Sequence, residues 1–369
     1  MPIRFDDDPR IVMTLDAGGT NLKFSAIRSN QVLVGPISTP SEADDLARCL
    51  ANILRGFEDV RRALPAPPVA ISFAFPGPAD YPAGIIGDLG NLPAFRGGVP
   101  LGPMLQEKFG VPAFLNNDGD LFAYGEAIAG FLPYVNGLLE KAGSPKRYRN
   151  LFGLTLGTGL GGGIVRDGEL FLGDNSAGAE VWLLRHKLDP SVNAEEGASI
   201  RAVRRVYAHQ AGLRFEDAPE PRTIFEIGMG HAEGNRAAAV EAFRRLGEVA
   251  GDVLAQALTL VDGLAVIGGG IAGAHPLFLP ALVDAMNGVY VRNGNPLRRL
   301  IPSAFNLQSP DDLEAFLGSE VHQIAIPGST RKIPYDPFKR TAVGISRLGT
   351  SEAVSIGAYA FALRELGRG

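Results

Sequence analysis

Apolar residues fall along this chain in two rhythms. Short unbroken runs bounded by Gly, Pro, Asn or Asp predict buried strands, and apolar positions three and four apart predict helices. Ile11 to Leu15 is the first run and Asn21 to Ile27 the second, joined by the tight turn Ala17-Gly18-Gly19-Thr20, with Gln31 to Ile37 as a third antiparallel strand. Ser41, with Asp44 three residues on, has capping-box character and opens a helix to about Arg62. Strands follow at Val69 to Phe75 and Val111 to Leu115, with a short helix, Leu101 to Phe109, between them. The later strand runs straight into Asn116-Asn117-Asp118 and a helix from about Gly119 to Phe131.

The theme then repeats. Tyr134 to Asn150 reads as a surface connection, and Leu151 to Leu156 as a strand ending at the glycine-rich turn Gly157 to Gly163. Ile164 to Arg166, a turn at Asp167-Gly168, and a strand to Leu172 come next. Helices are expected at about Ser199 to Gly212, Phe225 to Met229 and Ala237 to Leu260. Gly263 to Ile267 is a strand ending at Gly268-Gly269-Gly270, followed by a helix from Pro276 to about Gly288. Arg292 to Gly344 is broken by prolines; it reads as a surface excursion on the second domain or a partner subunit, with an edge strand at Val321 to Ile326. The last helix, Glu352 to Leu366, carries Ala353, Gly357, Ala358, Ala360 and Ala362, which suit close packing. The expectation is an α/β protein of two domains. Residues 1–130 form the first, with helix 352–369 packing back on it; residues 131–351 form the larger second, including an irregular insertion at about 292–341.

Composition mainly excludes. A length of 369 residues exceeds a single core of usual size, and 46% hydrophobic with 20% charged residues is the balance of a globular enzyme. A net charge of −5 argues against a nucleic-acid surface, but not against a phosphate held by backbone N–H groups. The single cysteine, Cys49, permits neither a disulfide nor a cysteine zinc cluster. There is no signal-peptide pattern and no apolar run of the roughly 18 residues that would span a bilayer, so a cytoplasmic chain with no membrane partner is expected.

The candidate chemistry gathers at strand ends. Asp16, Pro76-Gly77 and Asp118 each follow a strand, and open α/β sheets bind ligands beyond the carboxyl ends of their strands. Gly18 and Gly19 let the backbone approach a ligand, the N–H groups of such a turn form an anion-binding concavity, and Asp16 beside it suits a water-bridged Mg²⁺. Asp118 serves either as a helix N-cap or as a ligand-binding residue at a strand end; a carboxylate at a helix N-terminus is stabilised by the dipole and should stay ionised at neutral pH. Gly157, Gly159 and Gly162 match G-x-G-x-x-G, but a dinucleotide fold needs a helix to begin there, and β-type sequence follows. A nicotinamide cofactor is therefore not expected. Trp182, the only tryptophan, fills core or flanks a ligand.

The ordered set Asp16-Ala-Gly-Gly-Thr-Asn21, Phe75-Pro-Gly-Pro78, Asn91-Leu-Pro93, Asn117-Asp118, Leu156-Gly-Thr-Gly-Leu-Gly-Gly-Gly163, Ala177-Gly-Ala-Glu180 and Ile267-Gly-Gly-Gly270 resembles the ROK family of sugar kinases and sugar-responsive repressors. That resemblance implies the actin-like ATPase (ribonuclease H-like) fold, two α/β domains around a deep cleft, and ATP-dependent phosphorylation of glucose or a related hexose. It implies Asp118 as general base and Asn91, Asn117, Asp118, Glu180 and Glu195 as the sugar site. Gly18, Gly19, Thr20, Asn21, Gly157, Thr158 and Gly159 would hold phosphates, Gly268, Gly269 and Gly270 would face adenosine, and Asp16 would place Mg²⁺. A homo-oligomer, a dimer, is usual there. Two departures stand out. The family's Glu-x-x-His has Leu183 at the histidine position, and His186 three residues on is no automatic substitute. The cysteine-rich zinc motif is absent between Leu183 and Glu195, so no structural zinc is expected, and packing or hydrogen bonds must hold the loop carrying Glu195. Met1 to Arg10 is too short for a DNA-binding module. The competing expectation is a sugar-binding sensor with little chemistry, which the intact Asp118 and both glycine loops disfavour; an acyl-phosphate kinase is disfavoured by Ala177 to Glu180.

Overall fold

The opening apolar runs form a meander in which β1 (Val12–Ala17), β2 (Asn21–Arg28) and β3 (Gln31–Pro40) pair antiparallel in succession. This computed structural model describes residues 5–18, 20–90, 92–318 and 321–367, so Gly19 and Asn91 lie outside the described residues. Two compact units emerge, one of 1–130, 163–178 and 348–369, the other of 131–162 and 179–347.

In the first unit, α1 (Leu46–Ala63) starts later than the capping-box reading of Ser41. Glu42 takes a positive φ of 48°, which no helix continues, and the Ser41 N–H is held by the Thr20 carbonyl. Asp45 caps instead, its carboxylate accepting the Arg48 N–H at 3.1 Å. β4 (Ala70–Ala74) runs parallel to β1. A small ribbon, β5 (Ala79–Asp80) and β6 (Ile85–Ile86), and α2 (Leu101–Phe109) lead to β7 (Ala113–Asn116), which is parallel to β4. α3 (Asp118–Ile128) follows directly. The sheet order is β3-β2-β1-β4-β7. Met13, Leu15, Phe24, Ile71, Phe73 and Leu115 form a core with α1 and α2 residues, where Phe57 meets Phe24 edge-on at 5.1 Å. Each fully buried Phe of this kind contributes roughly 1.5–3 kcal/mol.

The second unit opens with α4 (Phe131–Lys141), where a loop was expected from Tyr134. Phe131, Leu132, Val135 and Leu139 bury one helical face, and Pro133 sits in the first turn, where a missing N–H costs nothing. β8 (Leu151–Leu156), β9 (Leu160–Arg166) and β10 (Glu169–Phe171) follow, β9 and β10 joined through Asp167 and Gly168 at φ 51° and 77°. This hairpin, not a helix, follows the second glycine turn, as the rejection of a dinucleotide fingerprint requires. The C-terminal half of β9 and β10 belong to the first unit.

Next come α5 (Ile200–Ala211), α6 (Pro221–Met229), the long α7 (Arg236–Val261), β11 (Leu264–Gly268) and α8 (His275–Met286). The proline-broken segment is more ordered than expected. It holds β12 (Val289–Arg292), β13 (Asn295–Arg298), β14 (Ser303–Asn306), α9 (Pro310–Leu317), β15 (His322–Ala325), β16 (Lys332–Tyr335) and β17 (Arg340–Ile345). β12–β13 and β15–β16 are separate two-stranded hairpins, and Val321 to Ile326 is half of the second hairpin instead of a sheet edge. β17 lies inside the main sheet between β11 and β14, parallel to both, so this part of the segment is core and not a surface excursion. Short strands interrupted by proline hide from a reading based on long apolar runs.

The chain returns to the first unit as α10 (Thr350–Leu366), which crosses α3 on small residues. A Cβ on Gly125 would stand 1.9 Å from the Ala353 carbonyl oxygen, and one on Gly357 2.0 Å from that of Leu121. Both obstacles are helix backbone, which cannot swing aside. Gly125→Ala or Gly357→Ala should therefore lower unfolding stability by about 1–3 kcal/mol or more, although alanine is the better helix former. A denaturant midpoint equal to that of the parent would contradict this close crossing.

Candidate functional site

In the first unit, register alone brings three features to one row. Asp16 is opposite Ala74 across the parallel β1–β4 pair, and Ala74 is opposite Asn116 across β4–β7. The residues just beyond these ends therefore share one edge: the Gly18 turn, Phe75-Pro76-Gly77, and Asn117-Asp118. The Gly18 N–H donates to the Asn21 carbonyl at 3.0 Å, and a Cβ on Gly18 would come within 2.8 Å of the same oxygen, so this turn requires glycine. Asp16, Thr20 and Asn21 are exposed. Among the described residues nothing hydrogen-bonds or pairs with the Asp16 carboxylate, which fits a Mg²⁺ that takes few protein ligands and keeps its waters.

Asn117, not Asp118, caps α3, its Oδ1 accepting the Gly119 N–H at 2.8 Å. Asp118 lies in the first turn, and its Oδ1 accepts the same N–H at 2.9 Å. The carboxyl remains open to water, yet the protein crowding around it strips hydration. That desolvation outweighs the bond from Gly119 and raises its pKa above the ordinary aspartate value, opposite to the helix dipole acting alone.

In the second unit, β8 and β11 are parallel neighbours with Thr155 opposite Gly268. Their glycine turns thus leave the sheet side by side. Gly269 has φ 90°, and a Cβ there would sit 2.3 Å from the Leu156 carbonyl, which the Ile271 N–H also reaches at 3.0 Å. Gly157 and Gly270 have no atom within 4 Å of a built Cβ, leaving bare backbone open to a ligand; Thr158 is exposed between Gly157 and Gly159.

Glu180 is exposed just before a short 3₁₀ turn, Val181–Leu183. Trp182 is half-buried and not core: its indole N–H donates to the Glu180 Oε2. Leu183 is 60% exposed. Glu195 turns toward the second glycine turn, its Oε2 accepting the Leu160 N–H at 3.1 Å with the Arg201 guanidinium 3.5 Å from Oε1.

A family model described as the ROK family matches residues 12–309. The chain belongs to the ROK family. An N-acetyl-D-glucosamine kinase of Vibrio parahaemolyticus is 28% identical over 284 residues, which are 71% of this chain and 85% of that protein. The crystal structure of a glucokinase from Parabacteroides distasonis is 52% identical, with a TM-score of 0.90 over 98% of this chain and 99% of that one. A ROK family glucokinase from Streptomyces griseus, solved with glucose and AMPPNP, shares the fold at 18% identity, with a TM-score of 0.59 over 95% of this chain and 98% of its own. The fold is the actin-like ATPase fold with two α/β domains.

In this ROK chain, a hydrogen-bonded strap spans Leu184 to Glu195, where the zinc motif is missing. The Ala194 N–H donates to the Leu184 carbonyl at 2.7 Å, the His186 N–H to that of Val192 at 3.1 Å, and Arg185 bridges Asn193. The His186 Nδ1 accepts two backbone N–H groups, from Leu188 at 3.0 Å and Asp189 at 2.9 Å. Its Nε2 edge lies over Gly197, where a Cβ would stand 2.1 Å away. Burial lowers the ring's pKa, which favours the neutral form that can accept. Spacing gave no hint of this role. Among the described residues no three His, Cys, Asp or Glu side chains gather as a metal site.

His186→Ala should leave two N–H groups without their acceptor, at roughly 1–3 kcal/mol of local stability. Amide exchange at Leu188 and Asp189 should speed up accordingly, and His186→Asn, which restores an acceptor, should recover most of the protection. Unchanged exchange in the alanine variant would show that the ring does not hold the strap.

Proposed function

We propose that this protein transfers the γ-phosphate of ATP to a hydroxyl of glucose or a closely related hexose, with Asp118 as general base. It is a sugar phosphotransferase by its relatives, and the AMPPNP-bound ROK glucokinase supports ATP as donor. The observation that supports the reading is the shared row of strand ends: Asp16 lies opposite Ala74 and Ala74 opposite Asn116, which brings Asp118, two residues beyond, to the same sheet edge as Asp16, whose carboxylate has no partner among the described residues.

Phosphoryl transfer is largely positioning and charge stabilisation. Thr20 and Asn21, with Thr158 and Gly159, would offer backbone N–H groups and hydroxyls to phosphate oxygens, Gly19 belongs to the same set, and Gly18 and Gly157, whose N–H groups go to the Asn21 and Gly159 carbonyls, shape the two turns. Gly268, Gly269 and Gly270 offer bare backbone to adenosine. Asp16 would hold Mg²⁺, which when bound neutralises phosphate charge. Asn91, Asn117, Glu180 and Glu195 present amides and carboxylates to sugar hydroxyls. Glu180 enters with one oxygen already taken by Trp182, so its other oxygen is the freer acceptor. Asp118 accepts the proton of the attacking hydroxyl, and a pKa raised by desolvation makes it a stronger base than a free aspartate.

Coupled ADP release over a panel of glucose, mannose, fructose, allose and N-acetylated hexosamines tests the activity. Saturable sugar binding without sugar-stimulated turnover would overturn it in favour of a sensor. Asp118→Asn should lower kcat by roughly 10²–10⁴. The base works only when ionised, so kcat/KM should fall on acidification through an apparent pKa above the ordinary aspartate value, and this limb should vanish in the residual activity of the variant. Stability moves the other way. A carboxyl with a raised folded pKa stabilises the fold only while protonated, a contribution lost as pH rises through that value. At neutral pH Asp118→Asn should therefore unfold no earlier than the parent, and an early-melting variant would place Asp118 in the scaffold instead.

A further inference from the structure

Glu195 is held from two sides. Its Oε2 accepts the Leu160 N–H at 3.1 Å, and a Cβ on Gly159 would stand 2.7 Å from the same oxygen and push it aside. Its Oε1 faces Arg201, whose Nη2 lies 3.5 Å away, too far for a strong hydrogen bond. The same Nη2 donates to the Glu196 Oε1, and Arg205, one helical turn on, donates to the Glu196 Oε2 at 2.5 Å. Both oxygens of Glu196 are therefore committed, whereas Glu195 keeps one oxygen open among the described residues. Helix physics does not account for Arg201. It is the second residue of α5, behind the cap Ser199, and a cation there opposes the helix dipole. Its ion pairs are exposed, and such pairs contribute little to stability. The location is set instead by the glycine turn. The Ile200 N–H donates to the Gly157 carbonyl at 2.8 Å, which docks the first turn of α5 on that loop and brings Arg201 to Glu195.

We propose that Arg201 is a positioning residue for the sugar site: clamped by Glu196, it steers the Glu195 carboxylate onto the Leu160 N–H and leaves Oε1 open to a sugar hydroxyl. This role rests on Glu195 being a sugar ligand. The guanidinium balances the Glu195 charge without using its open lone pairs, because Glu196 takes the hydrogen bond. Arg201 without Glu196 would be drawn onto Oε1 and would compete with the hydroxyl. Glu195 without Arg201 would keep only the Leu160 N–H to fix it, beside the like charge of Glu196. The two neighbouring acids thus have different tasks: one holds the arginine, and the other is held by it.

Arg201→Met should raise the KM for glucose roughly tenfold, as expected for a weakened hydrogen bond to a charged group, with little change in kcat. Arg201→Lys, which keeps the charge, should recover most of the affinity. Glu196→Gln should also raise the KM, and the double variant should be no worse than Arg201→Met alone, because both residues act on one carboxylate. Each variant should melt with the parent, since exposed ion pairs are all that is lost. Amide exchange at Leu160 needs no ligand, and it should speed up in Arg201→Met. An unchanged glucose KM in Arg201→Met, fully additive effects in the double variant, or unaltered Leu160 exchange would each overturn the proposal. A parent chain that neither binds nor phosphorylates a hexose would instead remove the functional reading, and Leu160 exchange would still show whether Arg201 holds Glu195.

Discussion

Parallel strand pairing sets where chemistry is possible in this protein. Two parallel strands held in register deliver their carboxyl ends to one edge, and whatever follows them is brought together without any further contact. In the first unit the row Asp16, Ala74 and Asn116 carries the Gly18 turn and Asp118 to the same place. In the second, Thr155 opposite Gly268 does the same for the two glycine turns. A slip of one residue would turn every side chain to the opposite face, so the buried faces that fix the register also fix the site.

Glycine matters in these rows for two separate reasons. At Gly18 and Gly269 the protein's own backbone fills the space where a side chain would begin. At Gly157 and Gly270 nothing fills it. The first kind builds the turn, and the second leaves it open. The second turn is also fastened from outside, by the Glu195 carboxylate on the Leu160 N–H and by the Ile200 N–H on the Gly157 carbonyl at 2.8 Å. A strap organised by an imidazole thus leads into the segment that carries Glu195.

Much of this was legible in the sequence because the informative features are local. A strand ending in Asp-Ala-Gly-Gly, or running into Asn-Asn-Asp before a helix, states its geometry in a few residues, and strands β1, β4, β7, β8 and β11 followed from their apolar runs. What stayed hidden depends on distant partners. Ser41 looked like a cap, but its N–H belongs to Thr20 and Asp45 has the freer geometry. Trp182 is the local exception: read as core or as the flank of a ligand, it is half-buried with its indole on Glu180, two residues away. β14 and β17 are short and lie among prolines, and only their place beside β11 makes them core. The pKa of Asp118 is likewise governed by burial more than by its place at a helix end, which no reading of a helix terminus could supply.

The crossing of α3 and α10 has a consequence for biosynthesis. The first unit gathers its parts from residues 1–130, 163–178 and 348–369. α10 leaves the ribosome long after α3, and until then the α3 face that meets Ala353 and Gly357 has no occupant. The unit that begins at β1 is therefore completed only after the intervening unit has been made. A nascent chain stalled before Thr350 would display that face to chaperones and proteases.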